Sequence, residues 1–322
     1  MPRTLGEQGG QHRPAPDGGL GVEALRAPAG LHRFSHEAMA TIFEVHTAHP
    51  DAQYAAQAAQ AVFDLVDRLE RELSRFLANS DVARINGLAA GASTRVTPTT
   101  LECLVIARHL YDLTGGAFDV SIGTGLPLLE LDPDGLVVRA REGGVRIDLG
   151  GIGKGYAVDL AAELLEEWDL GASLVHGGFS SVLVLEPPPA LEGWALTLSD
   201  PAAPARLLAR LSARQAALSA SGLRKGDHIR DPRTGEAVRG RRAAWTLVPR
   251  PETAKADRAP REGPRMAAAA VADALTTAFM LLGLEEIESI CAASPGLEAW
   301  VLPEAGADGS ADLLHFAAPV EP

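Results

Sequence analysis

The hydrophobic pattern alternates along the chain between the spacing of helices and the spacing of strands. Apolar residues three and four positions apart predict helices at 52–76, 97–115, 156–168, 267–282 and 284–292. Short alternating or continuous apolar runs predict strands at 41–46, 136–138, 145–149, 173–176, 181–185, 194–198, 205–211 and 297–302. The polar, proline-rich stretch 249–264 predicts a surface loop.

The order of these elements indicates the fold class. Helices and strands mix without strict alternation, which favours an α+β fold of mixed β-sheets packed with helices over a doubly wound sheet. The length of 322 residues suits one large domain or two closely packed ones. Residues 1–30 are rich in Gly, Pro and Arg and lack periodicity. We therefore expect a disordered tail over 1–30 and a single domain over 31–318.

Composition and charge narrow the class of protein. Hydrophobic residues make up 46% of the chain and charged residues 22%, the balance of a globular protein with a sizeable core. The net charge of -13 argues against general nucleic-acid binding, which needs a basic face. Arginines concentrate between Arg206 and Arg265, where they could serve an anionic ligand or form a solvated face.

Cysteine content and targeting signals indicate the redox state of the thiols and the location of the protein in the cell. Cys103 and Cys291 have no metal-like spacing, so we expect buried free thiols rather than a disulfide framework or a cysteine zinc site. The sequence contains no run of about 18 apolar residues, so no membrane span is predicted. The N-terminus lacks the apolar core and cleavage site of a signal peptide, and we expect a cytoplasmic location.

A glycine-rich turn between a predicted strand and a predicted helix is the first candidate site. Residues 150–155 read GGIGKG and follow Asp148. Backbone N–H groups at a helix N-terminus bind anions, and Lys154 adds a positive charge. This is not a Walker A loop, because the lysine is followed by Gly155 rather than Ser or Thr. The alternative is a tight strand-to-helix turn that needs small residues.

A lone acid inside a strongly apolar helix is the second candidate. Asp273 and Thr277 are four residues apart, which places their oxygens on one helix face. A carboxylate and a hydroxyl suit a hard ion such as Mg²⁺, which completes its shell with water and substrate phosphate. Asp273 needs a partner, because burying an unpaired charge is costly. The alternative is a helix-capping or core hydrogen bond.

A polar turn late in the chain is the third candidate. Residues 231–235 read DPRTG, which is typical of turns, and the turn presents His228 and Asp231. Histidine can act as a general base near neutral pH. The alternative is a plain hairpin turn with a structural histidine. Just upstream, residues 219–222 offer small hydroxyls and a backbone that can approach a ligand.

Six segments in a fixed order are more specific together than any one of them. They are Met39-Ala40-Thr41, LSRF at 73–76 with SDVARIN at 80–86, GGAFDVS at 115–121, DLGGIGKGYAVD at 148–159, HIRDPRTG at 228–235 and DALTT at 273–277. This combination resembles the ApbE family of FAD:protein FMN transferases, over nearly the whole span from His36 to Leu302. The segment 148–159 is close to the most specific motif of that family.

The resemblance implies a fold, an activity and partners. The fold would be ApbE-like, with a duplicated, T-fold-like architecture. The activity would be transfer of FMN from FAD to a threonine of another protein, with release of AMP, and it would depend on Mg²⁺ or, alternatively, Mn²⁺. The acceptor would be a flavoprotein with an Asp-rich, Ser/Thr-Gly-Ala-Thr-like motif, and the enzyme would be a monomer or a homodimer.

The resemblance also implies roles for individual residues. The metal would be bound by the side chains of Asp273 and Thr277 and by the backbone carbonyl of Gly151. Lys154 would stabilise developing negative charge, with His228 as the first candidate base and Asp231 as the second. FAD would be held by Met39, Ser74, Arg75, Phe76, Ala117, Phe118, Asp119, Asp148, Lys154, His228 and Ile229.

Departures from the family pattern leave alternatives open. Position 121 is Ser where the family has Thr, and the chain between Ser221 and His228 is shorter than usual, which bears on substrate preference. The same residues would serve hydrolysis of FAD to FMN and AMP, with water in place of threonine. The alternative that is not an enzyme is a flavin-binding or flavin-trafficking protein.

Overall fold

The computed structural model describes residues 20–22, 30–223, 229–250, 267–304 and 311–318. The helices are α1 (Ala52–Leu73), α2 (Asp81–Asn86), α3 (Pro98–Leu113), α4 (Gly153–Glu167), α5 (Ala268–Phe279) and α6 (Leu284–Ala293). The strands are β1 (Leu20–Val22), β2 (Leu31–Ala38), β3 (Thr41–Ala48), β4 (Ser93–Arg95), β5 (Leu129–Asp132), β6 (Val137–Ala140), β7 (Ser173–Gly177), β8 (Ser181–Val184), β9 (Trp194–Asp200), β10 (Ala203–Ala213), β11 (Ala216–Gly222), β12 (Arg241–Pro249), β13 (Glu298–Pro303) and β14 (Leu314–Ala317).

An eight-stranded sheet forms the centre of the fold. Its order is β14-β13-β12-β11-β8-β7-β3-β2, and neighbouring strands are antiparallel. The order divides into two halves, β2-β3-β7-β8 and β11-β12-β13-β14. In each half, helices intervene along the chain between the second and third strands. This repeated topology is what a duplicated architecture predicts, although the sequence itself shows no repeat.

The two faces of the sheet carry different layers. Helices α1, α4 and α5 pack on one face. Successive side chains of a strand point to opposite faces, so Ala217 belongs to the helix-side core while Leu218 belongs to the core on the other side. That second core lies beneath the small sheet β1-β9-β10 and includes Trp194 and Trp245. Another small sheet, β4-β6-β5, contacts α2 and α3.

Helix α5 lies in the interior because it is apolar on every side. All of its residues except Thr277 are buried, and it packs against β11, β12 and α4. A helix that is hydrophobic all round is stable only when it is covered on all sides. Its one acid, Asp273, is therefore carried into the protein by the burial of its neighbours.

The predicted fold class is confirmed, and most predicted elements are present. Helices α1, α3, α5 and α6 lie within three residues of their predicted bounds. Strands β3, β6 to β10 and β13 also lie where the pattern predicts them. The predicted turn at 231–235 is closed by a hydrogen bond of 2.7 Å from the Gly235 N–H to the Asp231 carbonyl.

Three predicted elements differ in the structure. The segment 145–149 is not a strand, because its backbone bonds to a side chain at the end of α2 and to a loop: the Ile147 N–H donates to Asn86 Oδ1 at 2.6 Å and the Asp148 N–H to the Val120 carbonyl at 2.7 Å. Helix α1 ends at Leu73 rather than residue 76, and α4 begins at Gly153 rather than Tyr156. Both shifts occur where the chain approaches the cavity described below.

Seven strands are additional to the prediction, namely β1, β2, β4, β5, β11, β12 and β14. Strand β11 reads AALSASG, and its small residues have little intrinsic strand preference. It becomes a strand because it is hydrogen-bonded on both sides, to β8 and β12. Only tertiary pairing determines this element.

The predicted disordered tail is wrong for three residues. Leu20–Val22 form β1, which pairs with β9, and Leu20 is buried in the second core. The rest of the stretch up to residue 29 lies outside the described residues. Within the described part of the chain, no helix is both long enough and apolar enough to cross a membrane.

Both cysteines should be chemically silent in the folded protein. Cys103 and Cys291 are free and buried, as predicted. Burial raises the pKa of Cys291 to about 11, and it raises the pKa of Cys103 further. Because the thiolate is the reactive form, a disulfide reagent at pH 8 should label no thiol in the native protein and two after denaturation. Rapid labelling of native protein would contradict the packing around α3 and α6.

Candidate active site

A cavity of about 710 Å³ opens where several strand and helix ends meet. Such a volume is typical of sites for small molecules and cofactors. It is lined by Met39, Ala40, Thr41, Glu70, Leu73, Ser74, Arg75, Phe76, Ala117, Phe118, Asp119, Val120, Ile122, Asp148, Leu149, Gly150, Gly151, Gly153, Lys154, Gly178, Ser180, Ala220, Ser221, Gly222, Ile229, Arg230, Pro232, Asp273 and Thr277. The three separate candidate segments of the sequence therefore reach one cavity.

The glycine-rich turn forms one wall of this cavity. Asp148 begins the turn, and its Oδ1 accepts the Gly150 N–H at 2.9 Å. Residues Leu149–Gly151 form a single 3-10 turn, and α4 starts directly after it at Gly153. The Lys154 ammonium donates to the Gly150 carbonyl at 2.9 Å, so the lysine folds back over the turn. A positive charge and a helix N-terminus thus meet at this wall.

A close crossing of α4 and α5 brings Asp273 to the turn. A Cβ on Gly155 would lie 2.6 Å from the Ala269 carbonyl carbon and 2.9 Å from the Ala270 Cα, so only glycine allows this approach. The Gly155 N–H then donates to Asp273 Oδ2 at 3.2 Å. One helical turn later, the buried Asp159 carboxylate accepts the Ala269 and Ala270 N–H groups at 3.0 and 2.8 Å. This satisfies the otherwise unpaired start of α5.

Asp273 is a desolvated acid beside Lys154. Its side chain is 5% exposed, and Lys154 Nζ lies 3.5 Å from its Oδ2. Burial raises the pKa of Asp273 above its ordinary value, against the opposing effects of Lys154 and the Gly155 N–H. A buried carboxylate of this kind is stabilised by a nearby cation.

The oxygens around Asp273 fit a hard divalent ion. The Thr277 hydroxyl lies on the same helix face and within 3.4 Å of Ser221 Oγ. Gly151 of the turn is close by, since a Cβ placed there would lie 3.8 Å from Thr277 Oγ1. Carboxylate, hydroxyl and carbonyl oxygens are the donors that Mg²⁺ takes. The residues present therefore fit the predicted metal.

The cavity lining also combines an arginine with an exposed aromatic ring. Arg75 Nε lies 3.3 Å from Asp148 Oδ2, and its guanidinium carbon lies 4.6 Å from the centre of the Phe76 ring. Phe76 is 81% exposed, which is unusual for a phenylalanine. Since α1 ends at Leu73, residues 74–76 leave the helix and follow the cavity wall.

Two loops also line the cavity. Met39 and Ala40 join β2 to β3 with φ values of 50° and 56°, as a two-residue hairpin requires. Asp119 accepts the Ser121 and Gly123 N–H groups at 2.7 and 2.8 Å. Asp119 therefore holds its own loop in place. The hydroxyl of Ser121, which occupies the Thr position of the motif, donates to this carboxylate at 2.7 Å.

The polar turn near residue 230 contributes its backbone and Arg230 to the cavity lining, but it does not contribute the carboxylate of Asp231. Ile229, Arg230 and Pro232 line the cavity, whereas Asp231 does not. The Asp231 carboxylate accepts three hydrogen bonds from Arg233 at 2.7 to 2.9 Å, and this pairing lowers its pKa. His228, the first candidate base, lies outside the described residues.

The sequence pattern of the ApbE family matches residues 39–136 and 124–260, which include the glycine-rich turn and most of the cavity lining. The chain belongs to the ApbE family. It is 26% identical over 321 aligned positions to a FAD:protein FMN transferase from Treponema pallidum (strain Nichols), covering 84% of this chain and 83% of that protein. A FAD:protein FMN transferase from Klebsiella pneumoniae (strain 342) is 25% identical over 214 positions, covering 55% and 66%.

Solved structures of ApbE proteins share this fold. The flavin transferase ApbE from Vibrio cholerae superposes with a TM-score of 0.73 at 19% identity, covering 90% of this chain and 98% of its own. The apo form of the flavinyl transferase ApbE from Pseudomonas stutzeri gives a TM-score of 0.72 at 19% identity, covering 89% and 94%. The ApbE protein from Thermotoga maritima gives 0.72 at 21% identity, covering 88% and 96%.

Several residues of the ApbE cavity had no signal in the sequence. Glu70 lies on the polar side of a long amphipathic helix and reads as an ordinary surface acid. Ser180 lies in the β7–β8 turn, where only the paired glycines at 177–178 indicate a close approach in the sequence. A Cβ on Gly178 would lie 2.8 Å from Thr41 Cβ, so this turn packs tightly on the β2–β3 hairpin.

Proposed function

We propose that this ApbE family member transfers FMN from FAD to a threonine hydroxyl of another protein and releases AMP. One observation carries the proposal: the glycine-rich turn, Lys154 and the buried Asp273 converge in a single cavity, with 3.5 Å between the ammonium and the carboxylate. These are the groups needed to hold and cleave a diphosphate. The names of the curated relatives agree with this reaction.

The cavity lining offers FAD both a positive surface and an apolar surface. The diphosphate would lie against the glycine-rich turn, where Lys154 and backbone N–H groups are positive. The aromatic parts would lie against apolar groups, with Phe76 and Phe118 as the largest rings available. The remaining predicted FAD contacts among the lining residues are Met39, Ser74, Arg75, Ala117, Asp119, Asp148 and Ile229.

The metal would be held by Asp273, Thr277 and the Gly151 carbonyl. Mg²⁺, or Mn²⁺ in its place, would supply neutralisation of the diphosphate and of the AMP oxygen as it leaves. Lys154, which lies 3.5 Å from Asp273, would add a second positive charge near the diphosphate. Asp273 stays buried, so its charge is directed at the ion rather than screened by water.

The proton of the attacking threonine must be removed as the new P–O bond forms. His228 remains the first candidate, because it precedes Ile229 in the sequence and Ile229 lines the cavity. Asp231 is a weak base in this arrangement because Arg233 occupies its carboxylate and lowers its pKa. We therefore propose that Asp231 stabilises its turn. Lys154 would stabilise the negative charge that develops on the phosphate.

A transfer assay tests the proposal against its alternatives. Purified protein, FAD and Mg²⁺ are incubated with an acceptor domain that carries the threonine motif, and with the same domain after Thr→Ala substitution. We expect AMP release and an acceptor mass gain equal to FMN minus water, seen only with threonine present. AMP release without a mass gain would instead indicate FAD hydrolysis. A yellow protein that releases no AMP would indicate flavin binding alone.

A further inference from the structure

Three side chains that face away from the FAD cavity form a compact cluster. Glu44 and His46 lie on β3, and His176 lies on β7 directly opposite Glu44 in the ladder. Their neighbours Phe43 and Val45 point into the helix-side core. The three side chains therefore share the other face of the sheet. Glu44, His46 and His176 are called the β3–β7 cluster below.

The nitrogens and oxygens of the cluster converge on one point. Glu44 Oε2 lies 2.9 Å from His176 Nε2 and 3.2 Å from His46 Nε2. One potential ligand atom from each residue lies within 4.8 Å of the other two. Tetrahedral Zn²⁺ with bonds of about 2.0 to 2.1 Å places its ligand atoms about 3.3 Å apart. The observed separations to the carboxylate oxygen need to expand by only a few tenths of an ångström.

The cluster is largely shielded from solvent. The side chains of Glu44, His46 and His176 are 7%, 14% and 5% exposed. Arg33 occupies the other carboxylate oxygen of Glu44 and so leaves Oε2 to the two histidines. His176 Nδ1 is buried and has no partner among the described residues. It can therefore take the ring proton when Nε2 becomes a ligand.

We propose that the β3–β7 cluster is a second metal site, which binds Zn²⁺ through His46 Nε2, His176 Nε2 and Glu44 Oε2. Two imidazoles and one carboxylate suit a transition ion, whereas the all-oxygen set at Asp273 suits Mg²⁺. The fourth position would be filled by water from the side of His46, which is the most exposed of the three ligands. The two sites thus differ in place and in ion.

An ion at this site would join two strands that lead into the FAD cavity. Strand β3 begins at Thr41 and β7 ends at Gly177, next to the turn of Gly178 and Ser180 that lines the cavity. The ring of Phe179 in this turn lies 5.5 Å from the ring of His176. The site would therefore stabilise the fold and hold the β7–β8 turn in position, without contacting FAD.

The test measures transition-metal binding by the whole chain. Metal-free protein is titrated with Co²⁺, whose four-coordinate complexes absorb strongly in the visible region, and Zn²⁺ is then added. We expect one equivalent of Co²⁺ to give these bands, and one equivalent of Zn²⁺ to remove them and raise the melting temperature. Absence of the bands in the unmodified chain would overturn the proposal, whatever the variants do.

Variants locate the site and separate it from the Mg²⁺ site. His46→Gln and His176→Gln should each lose the Co²⁺ bands and the Zn²⁺-dependent rise in melting temperature. His315→Gln is the matched control and should keep the Co²⁺ bands. His315 also pairs with a glutamate on a neighbouring strand, Glu298, at 2.7 Å, but this pair is not joined by a second histidine. Asp273→Asn should also keep the bands. Unchanged Co²⁺ binding in folded His46→Gln protein would place the ion elsewhere and contradict the assignment.

Discussion

Asp273→Asn is expected to lower the rate of AMP release from FAD by about 10²- to 10³-fold at saturating Mg²⁺. The substitution keeps the size of the side chain but removes the only charge that α5 brings to the cavity. Loss of one preorganised charged group in a dry site costs about 3 to 4 kcal/mol of transition-state stabilisation. The measurement is AMP released over time by chromatography, with transferred FMN followed by acceptor mass.

The stability of this variant should not fall together with its activity. Burial raises the pKa of Asp273, so the carboxylate is a costly group in the metal-free protein. The Asp273→Asn protein should therefore melt no lower than the parent. Glu288→Gln on the exposed side of α6 is the matched control and should leave AMP release unchanged. Undiminished AMP release by folded Asp273→Asn protein would remove Asp273 from the reaction.

Gly155→Ala is expected to destabilise the fold and also to reduce AMP release. The added methyl group would lie 2.6 Å from the Ala269 carbonyl carbon, and both partners are helix backbone that cannot move aside locally. Overpacking of this kind costs about 1 to 3 kcal/mol. Separating α4 from α5 would also lengthen the bond between the Gly155 N–H and Asp273. Thermal unfolding and AMP release check the two effects.

Gly171→Ala is the control for this prediction. Nothing lies within 4 Å of a Cβ placed at Gly171, and its φ is not in the left-handed region. It should therefore melt at or slightly above the temperature of the parent. If Gly155→Ala melted and released AMP like Gly171→Ala, then close contact between α4 and α5 would not be what positions Asp273.

The hydrophobic pattern predicts the helices of this fold better than its strands. Long amphipathic segments such as α1 and the apolar α5 need little beyond their own sequence. Strand β11 does not, because alanine and serine gain strand geometry only from their partners β8 and β12. The boundaries at Leu73 and Gly153 also depend on tertiary structure, since both are set where the chain approaches the cavity.

The sequence predicts which residues belong to the candidate site, but it does not predict how they contact one another. The motifs identify Lys154 and Asp273 separately, 119 residues apart in the chain. Their contact depends on a glycine whose role appears only when α5 is placed against it. Asp231 shows the converse. Its motif suggested a base, yet the neighbouring Arg233 side chain occupies its carboxylate. No sequence motif predicts the β3–β7 cluster, because His46 and His176 are brought together only by the pairing of β3 with β7.

A crystal structure of the protein with FAD and Mn²⁺, with the ion located by its anomalous scattering, tests whether α5 and the glycine-rich turn share one metal–diphosphate site. We expect an ion about 2.1 Å from an Asp273 carboxylate oxygen and from Thr277 Oγ1. We also expect the FAD diphosphate between that ion and the glycine-rich turn. An ion bound away from α5, or FAD bound with its diphosphate far from Lys154, would contradict the proposed arrangement of the site.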